Sequence, residues 1–168
     1  MKKYFIGMLA VVLVLSTFLM AGSVTAKEPK ILEFNIMVGV PRPYTGATNA
    51  IRGVPGGGRP WVIDFAEGEL KVSGKLEVKV RGLVIDPNEP IAAAGTNPAG
   101  DFKAIVSCLS KDAVTGAAIT SNVETSTFPT DTAGNADIEA TVTLPQPCIA
   151  PIIFVTSAGG SWFAATGN

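Results

Sequence analysis

The feature that most constrains the fold is an alternation of apolar and polar side chains with a period of two, between clusters of turn-forming residues. It is clearest over Ala136–Leu144, where the even-numbered residues are apolar and the odd-numbered residues are Asp, Glu or Thr. Such a pattern puts one face of a strand in a core and the other in water, as antiparallel sheets do. No stretch of about a dozen residues shows the period of an amphipathic helix. The sequence predicts an all-β fold, an antiparallel β-sandwich of about eight or nine strands.

Nine segments have the composition and length of strands. They are Ile31–Val38, Trp61–Phe65, Gly68–Val72, Leu76–Ile85, Phe102–Leu109, Ile119–Phe128, Ala136–Leu144, Ile152–Thr156 and Ser161–Ala165. Two long connections, residues 39–60 and 86–101, are rich in Gly and Pro and separate some of these strands. Loops of this length in a compact domain are functional or mobile.

A hairpin is predicted around Ser73-Gly74-Lys75, with Gly74 at the position where such loops favour a positive φ. With a three-residue loop, Val72 faces Leu76 and Leu70 faces Val78 on the apolar side. On the polar side the same register sets Lys71 against Glu77 and Glu69 against Lys79. A two-residue loop would mix the apolar and polar faces, so the three-residue loop is favoured.

The first 26 residues have the pattern of a signal peptide. Two lysines precede an apolar run from Tyr4 to Met20, and Val24-Thr25-Ala26 provides small residues at a cleavage site. We therefore expect a mature chain that begins at Lys27 and forms a single domain over residues 27–168. Cleavage would change the net charge from −1 to −3, because all 14 acidic residues stay beside 11 of the 13 basic ones.

This composition excludes several classes of function. Mild acidity argues against nucleic acid or an anionic membrane as the partner. No later apolar run reaches the roughly 18 residues that a membrane-spanning helix needs, so no span is expected in the mature chain. The chain has no histidine, which excludes a Ser-His-Asp or Cys-His catalytic centre and a histidine-ligated metal site. No cofactor is expected.

The two cysteines, Cys108 and Cys148, are expected to form a structural disulfide, because an even number of cysteines in an exported chain is typically paired. Their spacing is too wide for a redox CxxC motif. The bridge would close a loop of about 40 residues and would be worth about 4 kcal/mol in the chain-entropy description.

The segment from Arg52 to Trp61, Arg-Gly-Val-Pro-Gly-Gly-Gly-Arg-Pro-Trp, has the most unusual local composition. The guanidinium groups of Arg52 and Arg59 could bind an anionic or sugar ligand, with Trp61 as a stacking platform. Alternatively, the segment is a connector whose end is fixed when Trp61 enters the core, and this interpretation is favoured. The motif lacks the Gly-Lys-Ser/Thr ending of a phosphate-binding loop.

Carboxylates are the remaining candidates for chemistry. A glycosidase with paired carboxylates would draw on Asp64, Glu67, Glu69, Asp101 and Glu124. Two oxygen-rich loops, Asp86-Asn88-Glu89 and Asp131-Asn135-Asp137, could in principle hold calcium, but such residues also cap turns, and turn chemistry is favoured. No carboxyl is marked as a general acid, so an enzyme is not expected, and no catalytic residue or metal ligand is assigned.

The segment from Thr130 to Ile138, with the alternating strand that follows it, resembles the turn and strand of secreted bacterial β-sandwich domains of the immunoglobulin-like and transthyretin-like kind. The Arg-Gly-Val-Pro-Gly-Gly-Gly segment and the Trp-Phe-Ala-Ala-Thr-Gly ending also look like a group of uncharacterised secreted bacterial proteins. The resemblance implies an immunoglobulin-like β-sandwich and carries no site residues. A tryptophan between the two cysteines, as in true immunoglobulin domains, is absent.

Together these features predict a secreted or periplasmic, non-catalytic β-sandwich module with a binding or structural role. Its partner would be a protein or glycan outside the cytoplasm. One alternative is a carboxylate-dependent glycan hydrolase. Another is a surface or fibre subunit that assembles through an edge strand.

Overall fold

The computed structural model describes residues 27–166, and the predicted signal peptide at residues 1–26 lies outside this range. The described chain is all-β, with no helix between residues 27 and 166. Its twelve strands are β1 (Lys30–Phe34), β2 (Met37–Gly39), β3 (Trp61–Val62), β4 (Phe65–Lys71), β5 (Lys75–Arg81), β6 (Val84–Ile85), β7 (Asp101–Lys111), β8 (Ala118–Glu124), β9 (Phe128–Pro129), β10 (Ala136–Thr141), β11 (Ile149–Ser157) and β12 (Trp162–Thr166).

Two antiparallel sheets contribute to one hydrophobic core. The smaller sheet has the order β1-β4-β5-β10. The larger sheet has the order β2-β12-β11-β7-β8, and β9 pairs with the beginning of β7. Strands β3 and β6 form a short third sheet. Buried side chains from both main sheets, such as Leu70, Ile138, Phe102 and Phe154, belong to the same apolar cluster, as expected for a sandwich-like arrangement.

The structure has more strands than the sequence predicts because three of the predicted strands are interrupted. The segment Ile31–Val38 bends at Asn35, so that β1 joins the smaller sheet and β2 joins the larger one. Gly82, with a φ of 69°, separates β5 from β6. The segment Ile119–Phe128 becomes β8 and β9, which pair with different parts of β7. Strands that cross between sheets through bends are a common way to close the corners of a sandwich.

The alternating strand behaves as its pattern predicts. Within β10, Ile138 is fully buried, whereas Asp137 and Glu139 are exposed. Just after the strand Val142 is also buried, and its N–H donates to the carbonyl of Gly74 at 3.0 Å. This confirms one core face and one solvent face for this segment.

The predicted register of the β4–β5 hairpin is wrong by two residues. Leu70 lies opposite Leu76, not Val78, and Glu69 lies opposite Glu77. The loop does contain three residues, but they are 72–74, and Gly74 has a φ of 87° as its position requires. A shift of two residues keeps the same side chains on the same faces, so burial alone could not distinguish the two registers.

The Gly/Pro-rich connection over residues 39–60 is fixed against the larger sheet. The carbonyl of Pro55 accepts from Trp162 N–H at 2.8 Å, and Gly57 N–H donates to the carbonyl of Trp162 at 2.8 Å. A Cβ atom at Gly56 would lie 1.9 Å from the carbonyl oxygen of Tyr44. Glycine at this position therefore lets two backbone segments approach closely, and the connection is hydrogen-bonded to the larger sheet.

The predicted disulfide between Cys108 and Cys148 is confirmed. The two Cα atoms are 4.9 Å apart, and the bridge joins β7 to the residue just before β11. Cys108 is fully buried. The bridge therefore links neighbouring strands at the place where their pairing becomes irregular, between Ile149 and Ile152.

Candidate functional site

An open groove of about 810 Å³ lies over the solvent face of the smaller sheet. It is floored by β4, β5 and β10 and bounded on one side by the end of β1. Most of its lining side chains are charged: Glu33, Glu67, Glu69, Glu77, Lys79, Arg81, Asp137 and Glu139. Because these side chains project from paired strands, their positions are set by the sheet and not by loops.

Four glutamates cross the groove in one row. In the register of the sheet, Glu33 lies opposite Glu69, Glu69 opposite Glu77, and Glu77 opposite Glu139. Side chains directly opposite each other on neighbouring strands have Cβ atoms about 4.5–5.5 Å apart, so like charges at these positions repel. We call these four residues the glutamate row. Nearby cations must offset the repulsion between its carboxylates.

Lysines at one end of the sheet compensate half of the row. Lys30 Nζ lies 2.7 Å from Glu33 Oε1 and 2.5 Å from Glu69 Oε2. Lys71 Nζ lies 3.1 Å from the other oxygen of Glu69. Hydrogen bonds from Lys30 and then Lys71 lower the pKa of Glu69 from its ordinary 4.5 to about 2. Glu69 is therefore held as a carboxylate between two ammonium groups.

The other half of the row is less compensated. Lys75 Nζ lies 2.6 Å from Glu77 Oε1, and this hydrogen bond raises the pKa of Lys75. Within residues 27–166, Glu139 has no ion pair. Its neighbours along β10 and opposite it on β5 are also carboxylates, the exposed Asp137 and the half-buried Glu77. Asp137 binds Arg81 at 2.8 Å. The groove therefore keeps free acceptor capacity at its β5–β10 side.

The lysine–glutamate contacts predict a loss of stability in acid. A carboxyl whose pKa is depressed in the folded state contributes stability above its unfolded pKa, and this contribution is lost as pH falls through the folded pKa. For Glu69 that window runs from about pH 4.5 down to about pH 2. We expect the free energy of unfolding, measured by urea denaturation at each pH, to decline through this window. Both Glu69→Gln and Lys30→Gln should make the decline smaller, and an unchanged decline in both variants would contradict the assignment.

Arg59 belongs to a second charged cluster, centred on the buried carboxylate of Glu89. Arg42 binds both oxygens of Glu89, with Nη1–Oε1 at 2.7 Å and Nη2–Oε2 at 2.9 Å. Arg59 Nη1 is 3.4 Å from Oε2. These contacts lower the pKa of Glu89, with the hydrogen bond from Arg42 as the largest cause. The cluster joins the 39–60 connection to the 86–101 connection, and Arg59 is engaged within it.

Arg52 contacts a different part of the molecule. Arg52 and Gly53 have φ values of 50° and 81° and form a tight turn between the bridged residues Ile51 and Val54. The guanidinium donates to the carbonyl of Ser107 at 2.9 Å and to that of Ala150 at 2.8 Å. Arg52 therefore links the connection to β7 and β11 beside the disulfide, where irregular pairing leaves carbonyls available.

Trp61 is buried, with 5% of its surface exposed, and its ring stacks on Phe163 at a centroid distance of 3.8 Å. This is the core position that the connector interpretation expects. Arg52, Arg59 and Trp61 each contact different residues. Ligand binding by these three residues stays a prediction, and each of them already has a partner within the protein.

The oxygen-rich loops use their side chains to cap turns. Asp86 Oδ1 accepts from the backbone and side-chain amides of Asn88 at 2.8 and 2.9 Å. Asp131 accepts from the backbone and side-chain amides of Asn135, each at 2.9 Å. Among residues 27–166, no group of three or more acidic or cysteine side chains is arranged to hold a metal ion.

Comparison of the chain with protein-family models, with curated proteins and with solved structures finds no match. In the described part of the chain, no helix is long and apolar enough to cross a membrane. The role of the groove is therefore inferred from its geometry and charge.

The sequence identified three of the groove residues as site candidates, Glu67, Glu69 and Asp137, but not the groove. The sequence feature that corresponds to the groove is the occurrence of acidic residues at alternate positions of several strands. Recognising it required the pairing of β1 with β4 and of β5 with β10. The second of these pairings joins segments more than fifty residues apart, which local pattern does not specify.

Proposed function

We propose that the chain is an exported, non-catalytic β-sandwich module of the immunoglobulin-like kind, with a signal peptide at residues 1–26 and one domain over residues 27–168. It binds a glycan or protein partner outside the cytoplasm through the groove over the smaller sheet. The disulfide supports export to an oxidising compartment, secreted or periplasmic. The antiparallel sheets and their shared core support the sandwich class.

The observation that carries this proposal is the groove itself, an open volume of about 810 Å³ whose polar side chains project from a paired sheet. A rigid scaffold reduces the ordering entropy that a ligand must overcome on binding. Side chains already held by ion pairs, such as Glu69 between Lys30 and Lys71, add to this preorganisation.

The charge state of the groove favours binding over hydrolysis. A glycosidase requires one carboxyl with a raised pKa as the general acid and a second carboxylate. In the groove, the pKa of Glu69 is lowered to about 2, which makes this group a poor proton donor. The other carboxyls of residues 27–166 with displaced pKa values, Glu28, Glu89, Asp112 and Asp131, are displaced downward as well.

The free acceptors on the β5–β10 side define the chemistry of the ligand. Ionised carboxylates accept hydrogen bonds and donate none, so Glu77 and Glu139 favour a partner with hydroxyl or ammonium donors. A neutral or amino-bearing glycan, or a basic segment of a protein, has such donors. The same carboxylates repel phosphate, in agreement with the expectation that nucleic acid is not the partner.

The experiment uses the exported protein and four probes: a neutral oligosaccharide panel, chitosan oligomers, a uronate oligomer and an oligolysine peptide. We expect binding of the chitosan oligomers or the oligolysine, measured by titration calorimetry, and no binding of the uronate. Glu77→Gln/Glu139→Gln keeps the shape of the groove and should weaken this binding at least tenfold. Asp101→Asn, an exposed carboxylate outside the groove, is the matched control and should have no effect.

Two results would contradict the proposal. One is binding that is unchanged in the double variant, which would place the site elsewhere. The other is turnover of a bound glycan that is lost on Glu→Gln exchange, which would instead favour the carboxylate-dependent hydrolase.

A further inference from the structure

Strand β8 forms one edge of the larger sheet, and its outer side is unpaired in the part of the chain that the structure describes. It pairs with β7 through seven consecutive residues, Ala118 to Glu124, without a shift in register. Its side chains are exposed or half-buried along its whole length. The strand therefore presents a regular row of backbone donors and acceptors to solvent.

The other edges of the two main sheets carry features that discourage pairing. Strand β1 has charged residues and a register shift after Lys30, and β2 has only three residues. Strand β10 presents Asp137 and Glu139. Charges, irregularities and shortness are the devices by which natural proteins protect sheet edges. From Ala118 to Val123, β8 has no charge, no proline and no irregularity.

The sequence of β8 is complementary to itself in the antiparallel direction. If two copies of the strand pair around a two-fold axis at Ser121, then Ile119 of each lies opposite Val123 of the other, and Thr120 lies opposite Asn122. Apolar side chains meet on one face, and hydroxyl and amide groups meet on the other. The terminal Glu124 falls opposite Ala118, so no like charges meet, and its carboxylate is already bound by Lys103 at 2.5 Å.

We propose that β8 is the interface for a second copy of this chain, which adds antiparallel to it and extends the larger sheet across a two-fold axis. Such an interface is isologous: it uses the same strand from both copies and is then closed. Because the remaining main-sheet edges are protected, assembly stops at the dimer and does not continue into a fibre. The groove lies on the other main sheet and stays open in this dimer.

The test measures the mass of the exported protein by sedimentation velocity between 1 and about 200 µM. We expect a reversible shift from monomer to dimer with concentration. Thr120→Lys/Asn122→Lys would place lysine opposite lysine twice and should weaken the dimer at least tenfold. Thr120→Lys/Asn122→Glu would place lysine opposite glutamate and should restore it. Both variants lose the same hydrogen bond from Asn122 to the carbonyl of Arg52, so a difference between them reports the interface and not the fold.

Thr141→Lys, on the exposed edge strand β10, is the control and should leave the dimer unchanged. A second readout needs no variant: the amides of residues 118–124 should exchange more slowly as concentration rises. A wild-type protein that stays monomeric at 200 µM, or a dimer that persists in Thr120→Lys/Asn122→Lys, would overturn the proposal. Species larger than the dimer would overturn the closed two-fold pairing.

Discussion

Replacing both cysteines, in the variant Cys108→Ala/Cys148→Ala, is expected to lower the free energy of unfolding by about 2–5 kcal/mol. The bridge spans 40 residues of sequence, and its loss releases that loop in the unfolded chain. Urea denaturation without reductant measures the effect. The slope of the unfolding free energy against urea should increase as well, because an unfolded chain without the cross-link exposes more surface.

The single variant Cys148→Ala separates the cross-link from packing. It removes the bridge but keeps the sulfur of Cys108, which is fully buried, whereas Cys148 is only half-buried. If the cross-link dominates, the single variant should be almost as destabilised as the double one. Full alkylation of both thiols in the native wild-type protein, without reductant, would contradict the disulfide itself.

The second large effect is expected at the turn between β4 and β5. In Gly74→Ala the new Cβ would lie 1.9 Å from the carbonyl oxygen of Val142, and the residue has a φ of 87°. Left-handed backbone costs a non-glycine residue about 1–2 kcal/mol, and overpacking typically adds about 1–3 kcal/mol. We therefore expect a loss of about 2–5 kcal/mol in thermal or urea denaturation, because the adjoining part of β10 must move.

Gly116→Ala provides the matched control. Gly116 also has a positive φ, 70°, in the turn between β7 and β8, but a Cβ there would meet nothing within 4 Å. This variant should lose only the conformational part, about 1–2 kcal/mol. Equal losses in the two variants would mean that the contact of Gly74 with Val142 does not constrain the hairpin.

The sequence predicted those features of the fold that depend on local pattern. Alternation identified the two faces of β10, the even number of cysteines in a chain expected to be exported identified the bridge, and turn chemistry identified Gly74. Each of these depends on residues close in sequence, or on the compartment that a signal peptide implies.

The errors came from interactions between distant segments. Opposite charges were used to align β4 with β5, but in the structure Glu69 faces Glu77. Lys30 belongs to a strand more than thirty residues away, and its Nζ lies 2.5 Å from Glu69 Oε2. It therefore offsets the repulsion between Glu69 and Glu77, which made this register look unfavourable when β4 and β5 were considered alone. The hydrogen bonds that hold the Gly-rich connection likewise could not be predicted locally, because their partners, such as Trp162, lie in the last described strand.

The pairing of β2 with β12 has a consequence for the order in which the protein folds. Met37 lies opposite Thr166, so an early strand and the last described strand are neighbours in the larger sheet. Strand β2 cannot take its place in the larger sheet until β12 is available, so this sheet cannot be completed before then. Pairing between such distant segments also slows folding, because the entropy of closing a long loop must be overcome first. Completion of the larger sheet therefore waits for β12 and does not proceed progressively from β2.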